Sequence, residues 1–133
     1  MNEKEFFERI KKVIRGNPSV LEIGKAEKNF NNEIISIIEP DNYDICYYDL
    51  DDEVLNKPTK YDFIFLNCID FINYSKFLNK IIGKSNPRGY IGGDGFIKYM
   101  YAYKEIKNFV EKNNYQMVMA SEFGLWTAAK KRI

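Results

Sequence analysis

Four short stretches of this 133-residue chain set side chains of chemical use directly behind apolar, strand-prone runs. Glu22 and Gly24 close SVLEIG, and Asp49, Asp51 and Asp52 end the run that starts at Tyr43. Asn67 and Cys68 close YDFIFLNC, and Gly93, Asp94 and Gly95 follow GYIG. A glycine behind a strand lets the backbone approach a ligand closely, because no Cβ intrudes. An acid at the end of the next strand can accept two hydrogen bonds from a ribose diol, which suits an adenosine ligand. Asp94 is the candidate catalytic base, and Asp70, Tyr99, Tyr101 and Tyr103 are further candidates for a base or an acceptor contact. The three tyrosines read better as packing and surface residues of a helix, and Trp126 as core. The chain has no histidine, which removes Ser/His/Asp and Cys/His triads, histidine zinc sites and histidine bases in one step. No metal site is expected, and any would have to be all oxygen.

The elements that must position these groups follow from periodicity. Phe6, Phe7, Ile10, Val13 and Ile14 recur at helical spacing among charges, so residues 3 to 15 read as an amphipathic helix ended by Gly16, Asn17 and Pro18. Ser19 to Ile23 is a buried strand closed by Gly24, residues 29 to 39 a helix stopped by Pro40, and Tyr43 to Leu50 a second strand. YDFIFLN is a third strand, and a helix runs from about Ile72 to Ile82. SNPRGYIGGDGF reads as a turn and a very short strand around Gly89 to Gly93, with a helix over 98 to 113 after it. QMVMASE and LWTAAKK, either side of Phe123 and Gly124, read as an antiparallel hairpin. Strands alternating with helices predict a compact, Rossmann-like α/β fold: a mostly parallel sheet with helices on both faces and a C-terminal antiparallel hairpin. In such a sheet, ligands bind beyond the carboxyl ends of the strands, where the four stretches lie.

The size fits one domain spanning residues 1 to 133. Apolar residues at 45% with charged residues at 29% describe a packed globular chain, and a net charge of +1 gives no pull toward nucleic acid. MNEKEFFERIKKVI mixes both charge signs and lacks the apolar stretch of a signal peptide or membrane span, so neither membrane nor nucleic acid is expected as a partner, and the expected location is cytoplasmic. Cys46 and Cys68 read as reduced core residues.

Taken in order, these stretches resemble the class I S-adenosylmethionine-dependent methyltransferases. VLEIGKAEKNF is similar to their first motif, YYDL to the acidic end of their second strand and YDFIFLN to their fourth strand. PRGYIGGDGF is similar to their proline-glycine turn and fifth strand, and FGLWTAAKK to their last strand, so the likeness runs from Val20 to Lys131. The resemblance implies S-adenosylmethionine as cofactor and a small-molecule acceptor as substrate. Glu22 and Gly24 would line its methionine and ribose part, Asp49 would bind the ribose, Asn67 and Cys68 would sit beneath the sulfonium, and Asp94 would face the substrate. Three departures stand out. Ala26 and Lys28 occupy places where the family has glycine; Asn67, Cys68, Ile69 and Asp70 stand where an acid, a glycine and a histidine-bearing segment are common; and about ten residues join the second strand to YDFIF. A full βαβ unit takes roughly thirty residues, so one outer strand and one helix are missing and the second strand should lie at the sheet edge. A homodimer covering that edge or the surface near Tyr47 and Tyr48 is expected. The implied activities are a small methyltransferase or a catalytically degenerate relative acting as a binding or interaction module. A different nucleotide enzyme, such as a reductase, is disfavoured because the first loop is not GxGxxG.

Overall fold

The computed structural model describes residues 2–14, 16–24, 30–46, 56–67, 74–94, 100–121 and 124–131, with the side chains of 74–77 and 100–102 excepted. Helix α1 (Glu3–Ile14) carries acids in its first turn and lysines in its last, which complements the helix dipole. Asn2 caps it by accepting the Glu5 backbone N–H at 2.8 Å. Its apolar stripe buries Phe6, Phe7 and Ile10. Lys11 then donates from Nζ to the carbonyls of Gly16 and Ile38, at 2.6 and 2.7 Å, which ties the end of α1 to the next helical segment.

That segment departs from the expected single helix over 29 to 39. A short α2 (Asn31–Glu33) widens into a π-helical turn (Ile34–Ile38). The wider turn buries Ile34 and Ile38 and leaves Ile35 56% exposed. Glu39 closes it in the left-handed region at φ 54°, its N–H donating to Ile34 O at 3.1 Å, and Pro40 then ends the helix.

Six strands form one sheet in the order β2-β1-β3-β4-β6-β5. They are β1 (Ser19–Gly24), β2 (Asn42–Cys46), β3 (Tyr61–Asn67), β4 (Ser85–Gly93), β5 (Tyr115–Ala120) and β6 (Trp126–Lys130). The first four run parallel, and β6 is antiparallel to both β4 and β5. Among the described residues no strand pairs outside β2, as expected from the short link to β3. The outer part of the predicted second strand, 47 to 50, lies outside the described residues. On this edge the Asp44 carboxylate meets Lys57 at 3.4 Å and accepts a 2.6 Å hydrogen bond from the Tyr61 hydroxyl, which reaches across β1. Burial opposes the Asp44 charge, but the hydrogen bonds from Tyr61, Asn42 and Lys57 outweigh it and hold the carboxyl below its usual range.

β4 is longer than the short strand predicted. Tyr61 pairs with Ser85 and Phe63 with Tyr90, so the intervening residues of β4 bulge out. Pro87 falls in this bulge, where its missing N–H costs the ladder nothing.

Helix α3 (Tyr74–Ile81), which runs into a 3-10 turn (Ile82–Lys84), and helix α4 (Met100–Lys112) cover one face of the sheet. There Leu78, Ile81, Ile106 and Phe109 pack on Leu21, Ile64, Ile91 and Trp126. The other face is aromatic: Phe7 lies 5.7 Å from Phe30 and 5.5 Å from Phe65 between ring centres, and Phe30 stands edge-on to Phe65 at 5.0 Å. Trp126 and Cys46 are fully buried, as expected; Cys68 lies outside the described residues. In the β5–β6 turn the Ser121 N–H donates to Leu125 O and the Leu125 N–H to Ser121 Oγ, at 2.7 and 3.1 Å, while Gly124 takes φ 91°. No described helix is long and apolar enough to cross a membrane.

Among the described residues one core hydroxyl lacks a partner. Thr127 is fully buried and its Oγ1 bonds to no described residue. Thr127→Val keeps the shape and removes the unmet hydroxyl, so the variant should be more stable by about 1 kcal/mol in urea unfolding. An unchanged or lower midpoint would show that the hydroxyl is satisfied.

Candidate functional site

The register of the parallel strands decides which candidates meet. Gly24, the last residue of β1, pairs with Asn67, the last of β3. Side chains alternate along a strand, so Glu22 and Asn67 fall on the aromatic face with Val20, Phe63 and Phe65. Asn67 Nδ2 donates to Glu22 Oε2 at 3.2 Å, and Glu22 is only 4% exposed. A Cβ built on Gly24 would stand 2.6 Å from the Asn67 Cβ and 2.9 Å from its carbonyl oxygen. The missing side chain of Gly24 is therefore the space through which Asn67 leans to reach Glu22. The φ of Gly24 is not positive, so a close approach rather than a special backbone conformation calls for glycine here.

The other oxygen of Glu22 meets the edge strand. The Tyr43 hydroxyl hydrogen-bonds Glu22 Oε1 and also lies 2.7 Å from Asn31 Oδ1. A phenol has one proton for these two oxygens. Both contacts are hydrogen bonds when Glu22 itself carries a proton and donates to the phenol, or when the Asn31 amide is turned so that its NH2 donates. Burial pushes the Glu22 carboxyl above its ordinary value of 4.5; the hydrogen bonds with Tyr43 and Asn67 oppose this, and the charge of Glu33 adds to it. Tyr43 is pushed up as well, by burial first and then by its bond to Glu22 and the charge of Glu22. Glu33 has a buried Oε2 that bonds to no described residue. Two carboxyl groups thus share one region at the carboxyl end of β1, and neither is ion-paired to a described residue.

Asp94 follows β4. It is half-buried, and its backbone N–H donates to Leu66 O at 3.1 Å, which extends the β3–β4 ladder by one residue and sets Asp94 beside Asn67 on the same sheet edge. Glu22, Gly24 and Asn67 are therefore in contact, and Asp94 lies one strand further along. Asp49, Cys68, Asp51, Asp52, Asp70 and Tyr99, and the side chain of Tyr101, lie outside the described residues. Tyr103 packs against the helical-face core, with Lys107 Nζ 5.3 Å from its ring centre, as a packing residue would. Among the described residues no group of three or more potential metal-ligating side chains occurs.

Sequence reasoning missed Tyr43, Asn31 and Glu33. Tyr43 was legible only as a strand residue, and Asn31 and Glu33 only as polar positions of a helix. Nothing in their spacing tells that the edge strand and α2 converge on Glu22.

No protein-family model matches the sequence, and no curated protein does either. Solved structures match at the level of fold. A precorrin-6y C5,15-methyltransferase from Geobacter metallireducens superposes with a TM-score of 0.71 at 11% identity, over 98% of this chain and 90% of that one. An O-methyltransferase from Bacillus cereus, in complex with S-adenosylhomocysteine, gives 0.59 at 16% identity over 96% and 80%. The O-methyltransferase TomG from Streptomyces achromogenes, in complex with S-adenosylmethionine, gives 0.61 at 11% over 98% and 80%. With its sheet order, its antiparallel β6 inserted between β4 and β5, and these superpositions, the chain has the fold of the class I S-adenosylmethionine-dependent methyltransferases.

Proposed function

We propose that this protein binds S-adenosylmethionine at the carboxyl ends of β1 and β3 and transfers its methyl group to a small-molecule acceptor. The observation that carries the reading is the buried Glu22, beside Glu33, with no described cation paired to either. A ligand bearing a positive ammonium and sulfonium group answers that need. When bound, the cofactor supplies a methyl group already activated by the sulfonium, so the protein has only to position the partners and accept a proton. Glu22 receives the positive end of the ligand, with Tyr43 and Asn67 fixing its two oxygens. Gly24 lines the methionine and ribose part, Asp49 accepts from the ribose, Asn67 and Cys68 underlie the sulfonium, and Asp94 takes the proton of the acceptor.

The pH dependence of binding tests this. In the ligand-free protein the raised Glu22 pKa keeps a proton on the carboxyl above its ordinary range. A cationic ligand requires the carboxylate, so binding should release a proton, and affinity should climb as pH rises through the raised value. Stability runs the other way: the contribution of Glu22 is fully present below the ordinary value of 4.5 and is lost as pH rises through its raised value. Glu22→Gln should remove both trends and weaken S-adenosylhomocysteine about tenfold or more, since a charge-assisted bond contributes about 1.5–3 kcal/mol. Calorimetry in two buffers of different ionisation enthalpy reads the proton. Absence of any heat or thermal shift with millimolar S-adenosylmethionine or S-adenosylhomocysteine would overturn the enzyme reading.

One observation favours a second reading, a degenerate relative acting as an interaction module. Asn67 fills the space over Gly24, and Ala26 and Lys28 stand where glycine would let the backbone hug a cofactor.

A further inference from the structure

The amino-terminal ends of the parallel strands, far from Glu22, hold a second concavity. It has a volume of about 750 Å³ and is formed where the β4 bulge meets the end of β6 and the start of β5. Arg88, Lys130 and Lys131 line it, with Tyr90, Gln116 and Val118, and no described acid does. In a chain of net charge +1 with 20 basic and 19 acidic residues, these cations around one space without a described acid are a local imbalance. None of the three side chains bonds or ion-pairs with a described residue. Asp62 lines the adjoining smaller cavity, which shares Arg88 and Tyr90, but its oxygens are already taken by the Ser19 N–H at 2.9 Å and Asn86 Nδ2 at 2.7 Å.

The sheet places the cations. Tyr90 pairs with Ala129, and Ala129 with Gln116, so three strands fix the floor; Arg88, two residues before Tyr90, and Lys131, two after Ala129, lie beside it, while Lys130 pairs with Tyr115 and stands at the rim, where side chains alternate to the other face. Among the described residues no helical one lines this space. Val118, 42% exposed, and Tyr90 offer an apolar surface beside the charges. We propose that this concavity is a binding site for a small organic phosphate monoester. Its size lies within the range of small-molecule sites, roughly 300–1,000 Å³. A guanidinium fork with a lysine beside it matches a dianionic phosphate in charge and geometry. Tyr90 and Val118 receive the organic body. A nucleic acid would call for a longer basic stripe, and an acidic protein for a larger surface.

The test is a titration of the full chain with phenyl phosphate, followed by backbone amide NMR. The expected result is shifts confined to residues 88–90, 116–118 and 129–131, with submillimolar affinity at about 0.05 M salt that weakens at about 0.5 M. Arg88→Ala/Lys131→Ala should weaken binding about tenfold or more while leaving the dichroism spectrum unchanged. Lys131→Ala provides a milder variant should the double one fold poorly. Phenol alone should give no shifts. No shifts with phenyl phosphate, or equal binding by the folded variants, would overturn the site. Inorganic phosphate binding as tightly as phenyl phosphate would overturn the place given to Tyr90 and Val118. Shifts with polyglutamate but not phenyl phosphate would overturn it in favour of an acidic protein partner.

Discussion

Gly24→Val should destabilise the fold by about 3 kcal/mol, at the upper end of what overpacking a core costs, and lower the melting temperature by about 10 °C. The reason is that Gly24 abuts the neighbouring strand. Its Cβ would meet the Asn67 Cβ and the Asn67 backbone oxygen inside 3 Å, and neither is the mobile end of a side chain. β1 and β3 would have to part at the pair that carries Glu22 to Asn67, so the clash also breaks the 3.2 Å hydrogen bond of the site. Gly24→Ala should show most of this effect, since the first carbon makes the clash. Thermal unfolding followed by circular dichroism checks it. A melting temperature within a degree or two of wild type for both variants would mean that Asn67 yields freely, and the glycine would then answer to a ligand alone.

Trp126→Ala should cost still more, about 3–5 kcal/mol, which is a large share of the roughly 5–15 kcal/mol that holds a domain folded. Trp126 has no exposed surface and belongs to the cluster with Ile91, Ile106, Phe109 and Tyr115. It sits on β6, paired with Gly93 of β4 and Ala120 of β5, so its loss opens a cavity beneath α4 where three strands join. Trp126→Phe should retain the greater part of the stability, because most of the apolar volume remains. Urea unfolding by far-ultraviolet dichroism is the suitable measurement, as the chain has a single tryptophan and the variants lose its fluorescence. An unchanged midpoint for the alanine variant would show that this part of the sheet does not depend on the core beneath α4.

The strands and helices were legible where one local pattern dominated. Phe63 to Leu66 is continuously apolar, and Phe6, Phe7 and Ile10 keep helical spacing, so both elements stand where expected. The π-helical turn was not legible, because Ile34, Ile35, Ile37 and Ile38 satisfy helical spacing only loosely and the choice of buried pair falls to packing against α1 and β1. β4 was read short because Pro87 and Gly89 signal a turn; the bulge opposite Tyr61 to Phe63 lets the strand continue through them. Of the candidate site, Glu22, Gly24, Asn67 and Asp94 could be named from their positions behind strands. The partners of Glu22 could not.

The sequence by itself determined the order of the described elements, the edge position of β2 among them and the sheet edge at which polar groups gather, because these follow from local periodicity and from the length of chain between strands. It also determined that no histidine chemistry operates here. Only the tertiary structure decided that Gly24 makes room for Asn67, that Tyr43 joins Asn31 to Glu22, and that Arg88 and Lys131 line one cavity. Each of these brings together residues at least a dozen positions apart. Strand register and face set such contacts, and a shift of one residue in register would turn every side chain to the opposite face.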